Sequence, residues 1–116
     1  MIYSVKRNGI ELEEGEHYTF DGKYFSSHYA NLDIDFSGRD YINFNVYNHI
    51  KIKCGNNCEL NIWCSCKIKA GKGSKFYRNI TKEKGELPEN KWIKFNGFEI
   101  PGYLNEEELM LKEIIE

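Results

Sequence analysis

Apolar and polar side chains alternate along the middle of the chain in units of eight residues. From Ile34 the units are IDFSGRDY, INFNVYNH, IKIKCGNN, CELNIWCS, CKIKAGKG and SKFYRNIT, and the last unit ends at residue 81. Fifteen of the 18 side chains at positions 1, 3 and 5 are apolar when Cys and Ala are counted, and eleven of the 12 at positions 2 and 4 are polar. A period of two inside each unit predicts a β-strand with one buried face.

Gly and Asn collect at positions 6 to 8 of the units, which predicts turns there. Two architectures fit an octad: a short β-solenoid, in which identical positions stack about 4.8 Å apart, and an antiparallel meander or small β-sandwich. The like residues at positions 1 and 3 favour the solenoid, because stacking gives every coil the same neighbours. With two octads to a coil, residues 34–81 would form about three coils.

The flanking segments predict hairpins and one helix. Asn-Gly at 8–9 and Asp-Gly at 21–22 each lie between short alternating runs, so residues 1–33 are expected to form N-terminal hairpins. A further Asn-Gly pair predicts a C-terminal hairpin within 82–103. Residues 104–116 carry a capping-box pattern and an apolar face, which predicts a C-terminal helix. These elements are expected to cover the open ends of the repeat within a single, mainly β domain.

The run CGNNCELNIWCSCKIKAGKGSKF resembles the Cys-x-Ile-x-x-Gly octapeptide arrays of proteins from low-GC bacteria and phages. The resemblance extends over residues 42–79, although most units in this chain lack the Cys or the Gly. It implies a β-solenoid and carries no activity with it.

Composition and termini narrow the class of protein. The chain of 116 residues is 41% hydrophobic and 29% charged, as is ordinary for a soluble globular protein. Lys, Ile and Asn together make up 38 residues whereas Arg occurs three times, a bias typical of AT-rich genomes. No apolar stretch approaches the length of a membrane span, and the N-terminal MIYSVKRNG lacks the features of a signal peptide. We therefore expect a cytoplasmic protein of the host cell, with no membrane contact and with reduced cysteines.

Charge is segregated along the chain although the net charge is only −2. Residues 1–49 carry 4 basic and 8 acidic side chains, residues 50–94 carry 11 and 4, and residues 95–116 carry 1 and 6. Segregation of this kind suggests a field that orients a partner.

Lysines at positions 2 and 4 of octads three and five would stack on one outward face if two octads make a coil. These lysines are Lys51, Lys53, Lys67 and Lys69, with Lys72 and Lys75 expected close by.

The candidate binding site also includes two aromatic residues, Trp63 and Tyr77, which fall near turn or outward positions. Beside lysines, such rings can stack on bases or anchor a protein interface. The set as a whole predicts a site for nucleic acid or for an acidic protein surface. The alternative is that outward strand positions require polar residues, that Lys protects sheet edges, and that the aromatic rings cover a small sheet.

The four cysteines predict core packing. Cys54, Cys58, Cys64 and Cys66 are spaced C-x3-C-x5-C-x-C, unlike the paired C-x2-C of zinc ribbons and fingers. All but Cys64 fall at inward positions, where a free thiol packs as a small hydrophobe. A zinc site formed by the four thiols, with His49 nearby, is the alternative. We expect no cofactor.

Known catalytic motifs are absent from the sequence. It contains no Walker loop, dinucleotide fingerprint, H-E-x-x-H or nucleophile elbow, and its three histidines lie in different predicted elements. We therefore expect a stoichiometric binding protein rather than an enzyme. The small size, AT-rich bias and segregated charge resemble phage or mobile-element inhibitors of host machines, such as anti-CRISPR proteins, in general character only. That resemblance implies a host protein or nucleoprotein complex as partner. The alternatives are a nucleic-acid-binding protein that uses the lysines, and a structural β-repeat module that forms homo-oligomers through its open ends.

Overall fold

The computed structural model describes residues 3–47, 49–63, 65–95 and 103, and the elements within this part of the chain are all β-strands. The predicted helix over 104–116 and the second strand of the predicted C-terminal hairpin lie outside the described residues. The strands are β1 (Ser4–Arg7), β2 (Ile10–Glu11), β3 (Thr19–Phe20), β4 (Tyr24–Ser26), β5 (Leu32–Phe36), β6 (Asn43–Val46), β7 (Ile50–Cys54), β8 (Glu59–Ile62), β9 (Cys66–Lys69), β10 (Lys75–Arg78), β11 (Glu83–Glu86) and β12 (Trp92–Phe95).

The strands form two six-stranded sheets. Sheet 1 has the order β12-β9-β7-β5-β1-β2, and sheet 2 has the order β11-β10-β8-β6-β4-β3. The strands of the repeat are parallel within each sheet, β5-β7-β9 in sheet 1 and β6-β8-β10 in sheet 2. The chain crosses from one sheet to the other after every octad, so two octads make one coil and three coils stack. The predicted β-solenoid is confirmed, and the meander is excluded because consecutive strands of the repeat do not pair with each other.

The core lies between the two sheets and consists of the inward positions of the octads, 17 of 18 of which are buried. Leu60 is at its centre: it is 1% exposed and is aligned with Phe44 in one neighbouring strand and with Phe76 in the other. The first coil is filled by aromatic rings, with Phe25, Phe36 and Phe44 at centroid distances of 5.4 to 5.6 Å. Stacked apolar positions therefore supply the core, as the period of the sequence predicts.

The octad frame drawn from Ile34 is wrong in its first unit. Ile34 pairs with Ile52, a step of 18 residues, whereas Ile52 pairs with Ile68, a step of 16. The strand accordingly begins at Leu32, and the two additional residues lie in the turn that follows β5. Gly38, which the frame placed at an inward position, is an exposed turn residue with a φ of 78°. The alternation Leu-Asp-Ile-Asp-Phe is compatible with either frame, and only the pairing with β7 distinguishes them.

A ladder of side-chain hydrogen bonds holds the corner that leads from sheet 1 to sheet 2. Asp40 Oδ1 accepts the backbone N–H of Asn56 at 2.8 Å, and Asn56 Oδ1 accepts that of Lys72 at 2.9 Å. Each of these side chains occupies the space that a Cβ atom would need in the next coil. A Cβ on Gly55 would lie 2.3 Å from Asp40 Oδ1, and one on Gly71 would lie 2.2 Å from Asn56 Oδ1. Close approach between coils therefore requires glycine at position 6 of octads three and five.

Additional strands cover both ends of the solenoid. In sheet 1, β1 pairs antiparallel with β5 at one end and β12 pairs antiparallel with β9 at the other. In sheet 2, β4 extends the parallel ladder at the first end and β11 pairs antiparallel with β10 at the second. The predicted hairpins at 8–9 and 21–22 are present as β1-β2 and β3-β4. The sequence did not predict β11, which is charged and contains a glycine.

One inward position of the last coil is filled by a charged residue. The Arg78 side chain is 3% exposed, and its Nη1 lies 3.1 Å from Glu83 Oε1 on β11. The guanidinium carbon lies 5.1 Å from the centroid of the Phe95 ring. A buried guanidinium is stable only when it is paired. The strand that covers sheet 2 therefore also supplies the counter-charge for the last octad.

Candidate polyanion-binding face

Four lysines form the centre of an outward face on sheet 1. Lys51 and Lys53 lie on β7, and the parallel register places them directly beside Lys67 and Lys69 of β9. Their orientation follows from the alternation in each strand, in which the neighbouring Ile and Cys residues enter the core. The stacking of these four lysines on one face is therefore as the sequence predicts.

Two residues of β12 extend this face. Lys94 pairs with Lys67, and Trp92 pairs with Lys69. The outward positions of β7, β9 and β12 thus hold five lysines and one tryptophan, a set that we call the lysine face. The alternation Trp-Ile-Lys-Phe in β12 indicates which of its side chains point outward. It does not indicate that β12 pairs with β9, because β10 and β11 lie between these two strands in the sequence.

The indole of Trp92 lies among the lysine side chains. The Nζ atom of Lys51 is 5.2 Å from the centroid of the Trp92 ring, within the range of a cation–π contact. Lys67, Lys69 and Trp92 are half-buried, whereas Lys51 is exposed. Apolar stems lie along the sheet and ammonium groups remain near its surface, as is usual for long cationic side chains.

Two carboxylates border the lysine face along β5. Asp33 and Asp35 on β5 lie directly beside Lys51 and Lys53. The hydroxyl and the backbone N–H of Ser37 both donate to Asp35 Oδ1, at 2.6 and 3.0 Å. These hydrogen bonds, and then the charge of Lys53, hold the pKa of Asp35 below its usual value. These carboxylates therefore lie beside β7, on the side of the face away from β12.

The structure places Lys72 in a turn and separates Lys75 from this face. Lys72 is an exposed residue of the corner turn. Lys75 lies on β10 in sheet 2, directly between Glu59 of β8 and Glu86 of β11. The prediction that Lys75 adjoins the other lysines is wrong, because octads alternate between sheets and Lys75 belongs to octad six.

Trp63 and Tyr77 also lie away from the lysine face. Tyr77 is on the outer face of sheet 2 and borders a shallow groove of about 550 Å³. Trp63, which is 39% exposed, stacks on Tyr47 at 5.9 Å, and Tyr47 stacks on His28 at 5.1 Å. Trp63 Nε1 donates to Asn45 Oδ1 at 3.4 Å. The row of rings belongs to the side of sheet 2, so the expected combination of these aromatics with the lysines is wrong.

Three cysteines are core residues, as the spacing predicts. Cys54, Cys58 and Cys66 lie at buried inward positions, and Cys64 lies outside the described residues. A hydrogen bond to Cys58, and then burial, raises the pKa of the Cys54 thiol. Within the described part of the chain, no three His, Cys, Asp or Glu side chains are grouped as a metal site would require.

Comparison with known proteins returned no match, neither to a protein-family model, nor to a curated protein, nor to a solved structure. The part of the chain that the structure describes also holds no helix that is long and apolar enough to cross a membrane.

Proposed function

We propose that this chain is a non-enzymatic binding protein and that its lysine face binds single-stranded nucleic acid. The observation that supports this proposal is the set of five lysines in register on three adjacent strands, with no carboxylate at the outward positions of those strands. Strand spacing places the Cα atoms of neighbouring lysines about 5 Å apart, and two ammonium groups at that separation repel by about 0.8 kcal/mol in water. A polyanion removes that repulsion and releases its own counterions.

The chemistry of the face favours nucleic acid over an acidic protein surface. Lysine binds phosphate as a point charge without reading bases, and an aromatic ring beside a cationic track is the usual means of binding single strands without sequence preference. Trp92, in the same row as Lys53 and Lys69, provides such a ring. Within the proposal, the partner in the host is a nucleoprotein complex, and a phage or mobile-element inhibitor would engage its nucleic acid through this face.

The structural alternative has less support from the described residues. Self-assembly through the ends of a solenoid requires open, flat strand edges. Both ends carry additional strands, and the outermost strand of sheet 2, β11, presents Glu83, Lys84 and Glu86. Charges of this kind oppose edge-to-edge pairing.

The test measures binding of a fluorescent single strand of about 12 nucleotides by anisotropy over a series of salt concentrations. We expect log K to fall with log salt with a slope of about −3.5, since each neutralised phosphate contributes about −0.7 and the face has five lysines. The double variant Lys67→Gln, Lys69→Gln should reduce the slope by about 1.4. The matched control Lys75→Gln, Lys84→Gln removes the same charge from sheet 2 and should leave the slope unchanged.

Equal effects of the two double variants would contradict the assignment to sheet 1, and the absence of binding by the unmodified chain would contradict the proposal. Capture from a bacterial lysate with and without nuclease provides a second arm. If a protein partner were retained after nuclease treatment, the ligand would be an acidic protein surface and not nucleic acid.

A further inference from the structure

The lysine face has a concave site at the corner where the chain enters sheet 1. The cavity has a volume of about 450 Å³ and is lined by three lysines, His49 and Ser65, with Ile50 and Cys66 at its base. The lysines are Lys51, Lys67 and Lys94, one from each of three neighbouring strands in a single register row. Flat lysine rows bind an extended backbone, whereas this open concavity gathers three lysines and the Ser65–His49 pair around one depression, where a discrete anionic group could contact several of them at once.

Two backbone turns hold the polar groups of this cavity in place. His49 adopts a left-handed conformation with a φ of 53°, and its backbone N–H donates to the carbonyl oxygen of Ser65 at 3.0 Å. The Ser65 Oγ atom lies 3.2 Å from His49 Nδ1. The two side chains come from successive coils and are 16 residues apart, so the stacking of coils brings them together.

The Ser65–His49 contact leaves a hydrogen-bond donor for a ligand in either tautomer. When the hydroxyl donates to Nδ1, the imidazole carries its proton on Nε2, which can then donate. When Nδ1–H donates to Oγ, the hydroxyl proton of Ser65 is available instead. The cavity therefore combines three ammonium groups with one neutral donor.

A second cavity at the opposite end of the same face lacks this character. It has a volume of about 360 Å³ and contains Lys53 and Lys69, but the carboxylate of Asp40 also lines it, together with Asn56. Asp40 is fixed there by its hydrogen bond to the N–H of Asn56. An anion would meet this carboxylate, so the two ends of the lysine face differ in the charge of the group that they accept.

We propose that the cavity formed by Lys51, Lys67, Lys94, His49 and Ser65 binds a phosphate monoester, such as the terminal phosphate of a nucleic-acid strand. A monoester carries about −1.5 to −2 charges near pH 7 and three acceptor oxygens, against a single charge for each internal diester. Three cations and a neutral donor match the monoester better than the diester. The inference rests on the proposed function, because it assumes that the lysine face is the surface that binds nucleic acid. It adds that this cavity binds the phosphorylated end of the nucleic-acid strand.

The experiment uses Trp92 as the reporter. The chain has two tryptophans, and Trp63→Phe leaves only the one whose ring lies 5.2 Å from the Lys51 ammonium. This variant is titrated with a 5′-phosphorylated single strand, with the same strand ending in a 5′-hydroxyl, and with inorganic phosphate. We expect the phosphorylated strand to bind about tenfold more tightly than the hydroxyl strand, as one added charge-assisted set of hydrogen bonds implies.

Matched substitutions locate the effect. Lys94→Gln, which removes one cation from the cavity, should reduce the ratio between the two strands, whereas Lys53→Gln, which removes the same charge from the face outside the cavity, should weaken both strands and leave the ratio unchanged. Equal binding of the two strands by the unmodified cavity would overturn the inference while leaving the proposed function intact. Binding of neither strand would overturn both. If inorganic phosphate bound as tightly as the phosphorylated strand, the cavity would be a phosphate site whose ligand is the free ion rather than the end of a nucleic-acid strand.

Discussion

Leu60→Ala tests whether the centre of the molecule is a stack of like positions. Leu60 is 1% exposed on β8, between the aligned Phe44 and Phe76 of the neighbouring coils. Truncation to alanine removes three carbon atoms from this stack. The parallel ladder fixes the spacing of strands on both sides at about 4.8 Å, so the neighbouring rings cannot move far enough to close the cavity.

We expect the variant to lose about 3–4 kcal/mol in the free energy of unfolding, within the range of about 2–5 kcal/mol for buried leucine. For a chain of 116 residues, an unfolding entropy of about 2.1 cal/mol/K per residue converts this loss into a decrease of about 12–16 °C in Tm. Urea denaturation followed by circular dichroism measures the free energy, and calorimetry measures the Tm.

The adjacent residue on the same strand provides the control. Asn61 points to the outside of sheet 2 and is exposed, so Asn61→Ala should change the free energy of unfolding by less than about 0.5 kcal/mol. Similar losses for Leu60→Ala and Asn61→Ala would refute the assignment of inward and outward positions. A loss below about 1 kcal/mol for Leu60→Ala would refute its place at the centre of a rigid stack.

Three further substitutions test individual contacts of the fold. Glu83→Gln replaces the charged partner of the buried Arg78 guanidinium with a neutral one and should lower the free energy of unfolding by about 1–3 kcal/mol in urea denaturation. Adding Arg78→Met should restore much of this stability, because an apolar side chain suits the core. A double variant that is no more stable than Glu83→Gln would contradict that account. Gly55→Ala places a Cβ 2.3 Å from Asp40 Oδ1 and should cost about 1–3 kcal/mol. Asp40→Ala should rescue it only in part, since a backbone oxygen also lies 2.5 Å from that Cβ, so complete rescue would exclude the backbone clash. Hydrogen bonds from Ser37 lower the pKa of Asp35 in the folded state. The stability that ionised Asp35 contributes is therefore present above its unfolded-state pKa and is lost as the pH falls through its folded-state pKa. The Tm of Asp35→Asn should accordingly depend less on pH between about pH 5 and 2 than that of the unmodified chain, and an unchanged pH profile would contradict this prediction.

Much of the fold could be predicted because the solenoid repeats one local pattern. Alternation determines the inward face of a strand, and the position of Gly and Asn determines where the chain turns. The error in the first unit arose where two apolar residues, Leu32 and Ile34, are both compatible with the first inward position. Strand pairing resolves that ambiguity, and pairing is a long-range property that a single alternating run does not contain.

The candidate site was predicted only where its residues belong to the repeat. Lys51 and Lys67 fall at equal positions in alternate octads, so their contact follows from the coil length. Trp92 and Lys94 belong to a covering strand whose partner is β9, and no periodicity connects the two strands. Ser65 and His49 also fall at equal positions of alternate octads, so the coil length brings them together as well; because that turn position holds different residue types, the sequence showed no pattern that singled the pair out.

The two outer faces of the molecule provide an internal comparison that bears on function. Both faces consist of the outward positions of parallel strands and one antiparallel covering strand with similar spacing, so strand solubility and edge protection place similar demands on each. Sheet 2 meets those demands with asparagines, and Lys75 stands between Glu59 and Glu86. Sheet 1 instead places five lysines side by side on β7, β9 and β12, where each neighbouring pair repels by about 0.8 kcal/mol in water. Because the fold is equally compatible with the neutral arrangement, the need for polar outward residues does not by itself explain five lysines on one face, and this excess of positive charge is the observation on which the proposal of an anionic ligand rests.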